Sequence, residues 1–269
     1  MAVNVRSTHG GLAEALRWHL APFRRPVPAR RRFVAWFYPE DGRPSDSEEL
    51  QYVRNGDRKR VGAADDLLNY AIWDLHALVA KRTRDFLLLH AGAVAREGGA
   101  VILPAPPESG KSSLTIALLE AGFDYLSDEL GAIDPATGRI YPYPKRIWVT
   151  DGSLEFFPGL AERLQDRGGL SAGLLKRYIQ PEDIDAVVGA PGPVRLVVFP
   201  TSDHQGPPRL SRMSRAEAVH HLAANSFNMP TYGERGLVRL SQIAREATAY
   251  RLDGGTPRER ASAIDELIT

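Results

Sequence analysis

The tripeptide Gly110-Lys111-Ser112 stands between an apolar run of β type and a helical pattern, and no other feature restricts the chain as much. Ahead of it, residues 100–103 (Ala-Val-Ile-Leu) read as a buried strand. Behind it, apolar residues recur at helical spacing from Lys111 to Ala121, and Gly122 supplies a stop. A strand, a tight turn and a helix in that order give Gly-Lys-Ser a physical meaning. Successive backbone N–H groups in such a loop converge on an anion, aided by the positive end of the helix dipole. Gly110 lets the backbone approach a phosphate with no Cβ in the way. The candidate binding residues are Ala105, Pro106, Pro107, Glu108, Ser109, Gly110, Lys111, Ser112 and Ser113. Lys111 is expected to reach the β- and γ-phosphates of ATP, and the Ser112 hydroxyl to ligate Mg2+. The pattern Gly-x-x-x-x-Gly-Lys-Ser/Thr is broken at its first position by Ala105, where a positive φ would strain a residue with a Cβ.

Two further sites flank this loop in the sequence. Tyr125-Leu126-Ser127 reads as a short strand running into Asp128-Glu129. Carboxylates at a strand end beside a phosphate loop can hold Mg2+ or take a proton from an attacking hydroxyl. Upstream, residues 86–90 form an apolar run ending in His90, followed by Ala91-Gly92-Ala93. A histidine there is either a core residue bonded to backbone or a contact for the γ-phosphate. Residues 91–95 and 100–103 flank Arg96-Glu97-Gly98-Gly99, a hairpin signal.

The remaining pattern divides the chain. Residues 1–84 read as a small N-terminal β-rich module with a linking helix, and 85–269 as the domain carrying the loop. In the first part a helix is expected over 12–20 and a basic, proline-broken loop over 24–32. A strand is expected over 33–38, a hairpin turn at Asn55-Gly56, and a helix capped by Asp65-Asp66 that runs to about Lys81. The second part carries a turn at 134–138, a strand at 194–199, helices at 215–224 and 237–247, a strand at 248–252 and a terminal helix near 258–267. Strands interspersed with helices make an α/β fold. Lys145-Arg146 and, less strongly, Lys176-Arg177 could bring positive charge to a phosphoryl group, or be solvated pairs. His220-His221 point in different directions on one helix and do not suit a shared metal.

Composition sets outer limits. With 34 basic and 33 acidic residues and a net charge of +1, nothing calls for a nucleic-acid partner. The absence of cysteine excludes disulfides, thiolate catalysis and Cys-ligated metals. No apolar stretch reaches the roughly 20 residues of a membrane span. The N-terminal residues lack the apolar block of a signal peptide, so no membrane association and a cytoplasmic location are expected.

His90-Ala91-Gly92-Ala93-Val94, the loop, and Gly122-Phe123-Asp124-Tyr125-Leu126-Ser127-Asp128-Glu129 together resemble the HPr kinase/phosphorylase family. They are most similar to its HPr kinase-related bacterial kinases, some found with lasso-peptide and other modified-peptide gene clusters. The resemblance is strong over 88–130 and weaker over 141–146, 194–200 and 247–252. It implies a P-loop α/β core of the HPr kinase and phosphoenolpyruvate carboxykinase type. It implies an ATP- and Mg2+-dependent serine kinase whose partner is a protein or peptide carrying a serine, and it admits a homo-oligomer. It gives the catalytic roles to Asp128 as base, His90 and Lys111, and the metal to Ser112, Asp128 and Glu129. The family pair is Asp-Asp where this chain has Asp128-Glu129, and the segment associated with dephosphorylation has no copy here. A kinase of a small hydroxylated metabolite and a non-catalytic nucleotide sensor or assembly factor stay open as alternatives.

Overall fold

Strand order around the phosphate-loop candidate depends on one long, almost wholly buried strand, Leu87–Arg96. The computed structural model describes residues 2–7, 10–23, 32–39, 50–54, 57–61, 63–165 and 177–268. The chain divides into two compact units: Met1–Thr83 with Ala161–Tyr178, and Arg84–Leu160 with Ile179–Thr269.

The first unit holds a four-stranded sheet in the order Ala2–Ser7, Arg32–Pro39, Leu50–Arg54, Asp57–Val61. Its first pair is parallel and the other two antiparallel. Helices Gly10–Leu20 and Ala64–Arg82 accompany it. Leu12 and Leu16, one turn apart, meet Leu67, Leu68, Ala71 and Ile72 in its core, as the helical period requires. The expected cap differs: Ala63 is the N-cap residue and makes no side-chain bond, while Asp65 and Asp66 lie inside the first turn. There they favour the helix through its dipole, without closing its end. The expected hairpin strands pair from Arg54 with Asp57, but the turn residues Asn55 and Gly56 lie outside the described residues. So does the basic segment 24–31.

The second unit is mixed α/β with a mixed sheet. Its strands follow the order Arg209–Arg212, Thr248–Asp253, Gly192–Pro200, Gly99–Pro104, Leu87–Arg96, Leu130–Ile133, Arg139–Tyr141. Asp124–Ser127 pairs with Leu87–Arg96 as well, and Gly192–Pro200 also touches Arg139–Tyr141. The two apolar runs expected as separate strands at 86–90 and 91–95 form one strand. It is continuous because it changes partner, not direction, at His90 and Ala91: residues 87–90 pair with Leu130–Ile133, and 91–96 with Gly99–Pro104. Glu97 and Gly98, with φ of +50° and +76°, make the hairpin turn that closes the latter pair. Helices Arg215–Ala224 and Glu234–Glu246 bury Ala218, Leu222, Leu240 and Ile243 against the sheet.

Helix Lys111–Glu120 follows strand Gly99–Pro104 and buries Leu114, Thr115, Ile116, Ala117, Leu118 and Leu119. Its end at Gly122 is a Schellman closure. Gly122, with φ +91°, donates its N–H to Leu119, and Phe123 donates to Leu118. The helix lies directly on the strand at Gly92, where a Cβ would stand 2.8 Å from Thr115 Oγ1 and 3.4 Å from Leu103 Cδ1. Both neighbours are buried and cannot swing aside. Gly92→Ala is therefore expected to lower unfolding free energy by about 1–3 kcal/mol in a urea titration. Adding Thr115→Ala should recover part of that loss. Among the described residues, no helix is long and apolar enough to cross a membrane.

Candidate functional site

The partner change on strand Leu87–Arg96 brings three distant pieces of sequence to one place. The Ala105 N–H donates to the His90 carbonyl at 3.4 Å, and the Ala91 N–H donates to the Glu129 carbonyl at 3.1 Å. The loop therefore begins on one edge of the strand, and the acidic pair lies on the other. Asp128-Glu129 occupies the break between Asp124–Ser127 and Leu130–Ile133, which share the same edge of that strand. The Ser127 hydroxyl accepts N–H bonds from Glu129 at 3.2 Å and Leu130 at 3.0 Å, which fixes the break.

The loop folds around its own lysine. Lys111 Nζ donates to the carbonyls of Ala105 at 2.8 Å and Pro106 at 2.7 Å. The Ser109 hydroxyl donates to Pro106 at 2.9 Å. Gly110 is the helix N-cap, with φ +83° and ψ 13°, a left-handed backbone that glycine takes without strain. The strain expected at Ala105 is absent: among the described non-glycine residues, positive φ falls on Glu97, Glu108 and Asp185. Ala105 still follows the sheet, bonded to His90, so the reversal of the chain comes three residues later, at Glu108 with φ +62°. Lys111 is almost fully buried. Burial lowers its pKa to about 8, against the opposing pull of Asp128 and Glu129.

The acids differ in exposure. The Asp128 side chain is 4% exposed and that of Glu129 37%. Lys145 Nζ stands 3.5 Å from Asp128 Oδ1 and 2.9 Å from Glu129 Oε2, so one ammonium serves both. The Tyr125 hydroxyl, wholly buried, lies 3.2 Å from Asp128 Oδ1 and donates to the Lys145 carbonyl at 2.6 Å. Burial raises the pKa of Asp128, and Lys145 works against that rise. His90 is half-buried, its ring 5.3 Å from that of Phe227. Desolvation, followed by the charge of Lys111, lowers its pKa to about 4, so its imidazole is neutral at pH 7.

No family model matches the chain, and no curated protein matches it. The chemistry of the site therefore rests on its own geometry. The structure brings together His90, Lys111, Asp128 and Glu129, close enough for Lys111 and Glu129 to shift His90 and for both acids to shift Lys111. It separates the basic pair: Lys145 faces the acids, while Arg146 Nη1 lies 3.9 Å from Glu182. Lys176 lies outside the described residues. Sequence reading did not single out Tyr125 in a chemical role, and its place three residues before Asp128 was the signal available. Asn228 carried none; its amide accepts from Leu88 at 2.9 Å and donates to Phe86 at 2.9 Å, next to the bridge that Ser226 makes with Leu89.

Among the described residues no cluster of three His, Asp or Glu suits a metal by itself. The Ser112 hydroxyl with the Asp128 and Glu129 carboxylates is nevertheless an all-oxygen donor set, which Mg2+ prefers, and Mg2+ takes further ligands from water and phosphate. A cationic group already stands beside both carboxylates in the form of Lys145.

Proposed function

We propose that this protein is an ATP-dependent serine kinase acting on a protein or peptide, with a P-loop core of the HPr kinase and phosphoenolpyruvate carboxykinase type. One observation carries the reading: the loop of Lys111 and the acids Asp128-Glu129 flank His90 on opposite edges of a single strand. A phosphate cradle and a buried carboxylate at that spacing are the two parts that phosphoryl transfer to a hydroxyl requires. A loop alone supports nucleotide binding, whereas a loop beside a shielded base supports transfer.

In the proposed reaction the substrate serine oxygen attacks the γ-phosphorus in line, and the bond to the bridging oxygen of ADP breaks. The serine proton passes to Asp128, which burial makes a stronger base than a solvated carboxylate. Lys111 exchanges its contacts with Ala105 and Pro106 for phosphate oxygens and neutralises their charge. Mg2+, when bound with ATP, would be held by Ser112 and Glu129 and would supply further charge neutralisation. Neutral His90 orients the γ-phosphate or its acceptor by hydrogen bonding. Lys145 opposes the rise that burial imposes on the pKa of Asp128.

Incubation with γ-labelled ATP, Mg2+ and serine-containing peptides tests this directly. Label on peptide is the expected result, and binding without transfer to any acceptor would overturn it. Transfer only to small hydroxylated metabolites would keep the phosphoryl chemistry and replace the acceptor class. The closure of Lys145 over both acids favours, as a second reading, a nucleotide sensor that binds without turnover.

Lys145→Met supplies a pH test. Removing the ammonium takes away the largest opposition to burial and leaves the Tyr125 bond, so the pKa of Asp128 rises further. The base is active above its pKa, and the acidic limb of kcat/KM should move to higher pH by about one unit or more. The limb is read from transfer rates between pH 5 and 9.

A further inference from the structure

Strand Gly192–Pro200 runs parallel to, and directly beside, the loop strand Gly99–Pro104. Both segments therefore leave the sheet at the carboxyl ends of their strands, where ligands bind in open α/β sheets. Residues 105–110 follow the one strand and residues 201–208 the other. The second segment carries no motif in the sequence.

That segment is firmly built. Arg260, 1% exposed, donates from Nε to the Gly254 carbonyl at 2.6 Å, from Nη1 to Thr201 at 3.1 Å, and from Nη2 to Asp203. Gly254 and Gly255 return bonds to the carbonyls of Asp203 and Gly206 at 2.9 and 2.8 Å. Gly254 has φ +69°, and a Cβ there would stand 2.3 Å from the Pro207 carbonyl oxygen. A buried guanidinium and a glycine that cannot be replaced are spent on fixing one exposed segment.

The fixed segment presents His204 to the phosphate loop. A Cβ on Gly110 would lie 3.3 Å from His204 Cε1 and 3.7 Å from Nε2. The imidazole edge thus rests on the flank of the glycine that caps helix Lys111–Glu120. The N–H groups of a helix start face the anion, and the ring stands next to them, beside the N-cap residue Gly110. A ring on that flank meets the part of a nucleotide that extends beyond its phosphates. His204 is exposed, so it has surface to offer.

We infer that His204 is a nucleotide-binding residue that packs its ring against the sugar and base of the bound nucleotide, beside Gly110. The inference rests on the phosphate-loop reading proposed above and adds to it the wall that separates a nucleotide from inorganic phosphates.

Calorimetric titration of the full chain with MgATP and with tripolyphosphate tests both layers. His204→Ala is expected to weaken MgATP about 10-fold, the loss typical of one ring contact with a base, and to leave tripolyphosphate within about twofold. His204→Phe, which keeps a ring, is expected to bind MgATP within about threefold of the unaltered protein. Unchanged MgATP affinity in His204→Ala, or an equal loss for both ligands, overturns the inference. If the unaltered protein binds neither ligand, the phosphate-loop reading itself has failed.

Discussion

Asp128→Asn is expected to reduce phosphoryl transfer about 10^3-fold while MgATP affinity stays within about threefold, since general-base catalysis is worth about 10^2–10^4-fold. The substitution keeps shape and burial and removes the ability to accept a proton. It also leaves Lys145 with Glu129 as its remaining acidic contact of the pair, at 2.9 Å, so the local structure should hold. Burial makes this carboxylate a better base than a solvated one, because desolvation raises its pKa. Glu129, the more exposed acid, is the comparison, and as a proposed Mg2+ ligand its loss should weaken MgATP as well as slow transfer. If Glu129→Gln abolishes transfer and Asp128→Asn does not, the base has been assigned to the wrong member of the pair. Rates from labelled ATP and affinities from calorimetry decide between these outcomes.

Lys111→Met is expected to weaken MgATP about 100-fold and, at the same time, to stabilise the nucleotide-free protein. The affinity loss follows from charge-assisted bonds to phosphate, worth about 1.5–3 kcal/mol each. The stability gain follows from burial. Lowering the lysine from 10.5 to about 8 corresponds to about 3 kcal/mol of disfavoured charge. Loss of the bonds to Ala105 and Pro106 returns about 1–2 kcal/mol of that, leaving a net gain of about 1 kcal/mol. The pH dependence has a definite sign. Between about pH 8 and 10.5 the folded protein binds fewer protons at Lys111 than the unfolded chain, so its stability rises with pH across that window. Methionine has no proton to lose. Urea unfolding at pH 7 and pH 9.5 should show the gap between variant and unaltered protein narrowing at the higher pH. A variant no more stable than the unaltered protein at pH 7 would show that the loop's carbonyls repay the buried charge in full.

The loop could be read from sequence because its signals are local: a strand, a glycine, a lysine and a helix with the right period. Helix Arg215–Ala224 and strand Thr248–Asp253 were legible for the same reason, the former with Ser214 and Glu217 forming a capping box. What escaped depended on pairing. The residues 86–90 and 91–95 look like two strands because His90 and Gly92 interrupt the apolar run, and only the change of partner at Ala91 shows one strand. The place of the left-handed residue in the loop was also hidden. Sequence pointed to Ala105, but the sheet holds Ala105, and the turn falls on Glu108. Lys145 reads equally as a phosphoryl contact or as half of a solvated pair, until the chain reversal at 134–138 returns it to Asp128. His204 was invisible because its meaning depends on Arg260, far along the chain.

The break between Asp124–Ser127 and Leu130–Ile133 has a consequence for the order in which the molecule can assemble. The strand of His90, the loop strand and both strands flanking the acids come from residues 87–133, and they pair antiparallel through nearby connections. Gly192–Pro200 and Thr248–Asp253 join in parallel, from far along the chain. Short-range antiparallel pairing closes sooner than long-range parallel pairing. On a chain emerging from the ribosome, the loop strand and the acidic pair can therefore take their places before the segment that carries His204 has been synthesised.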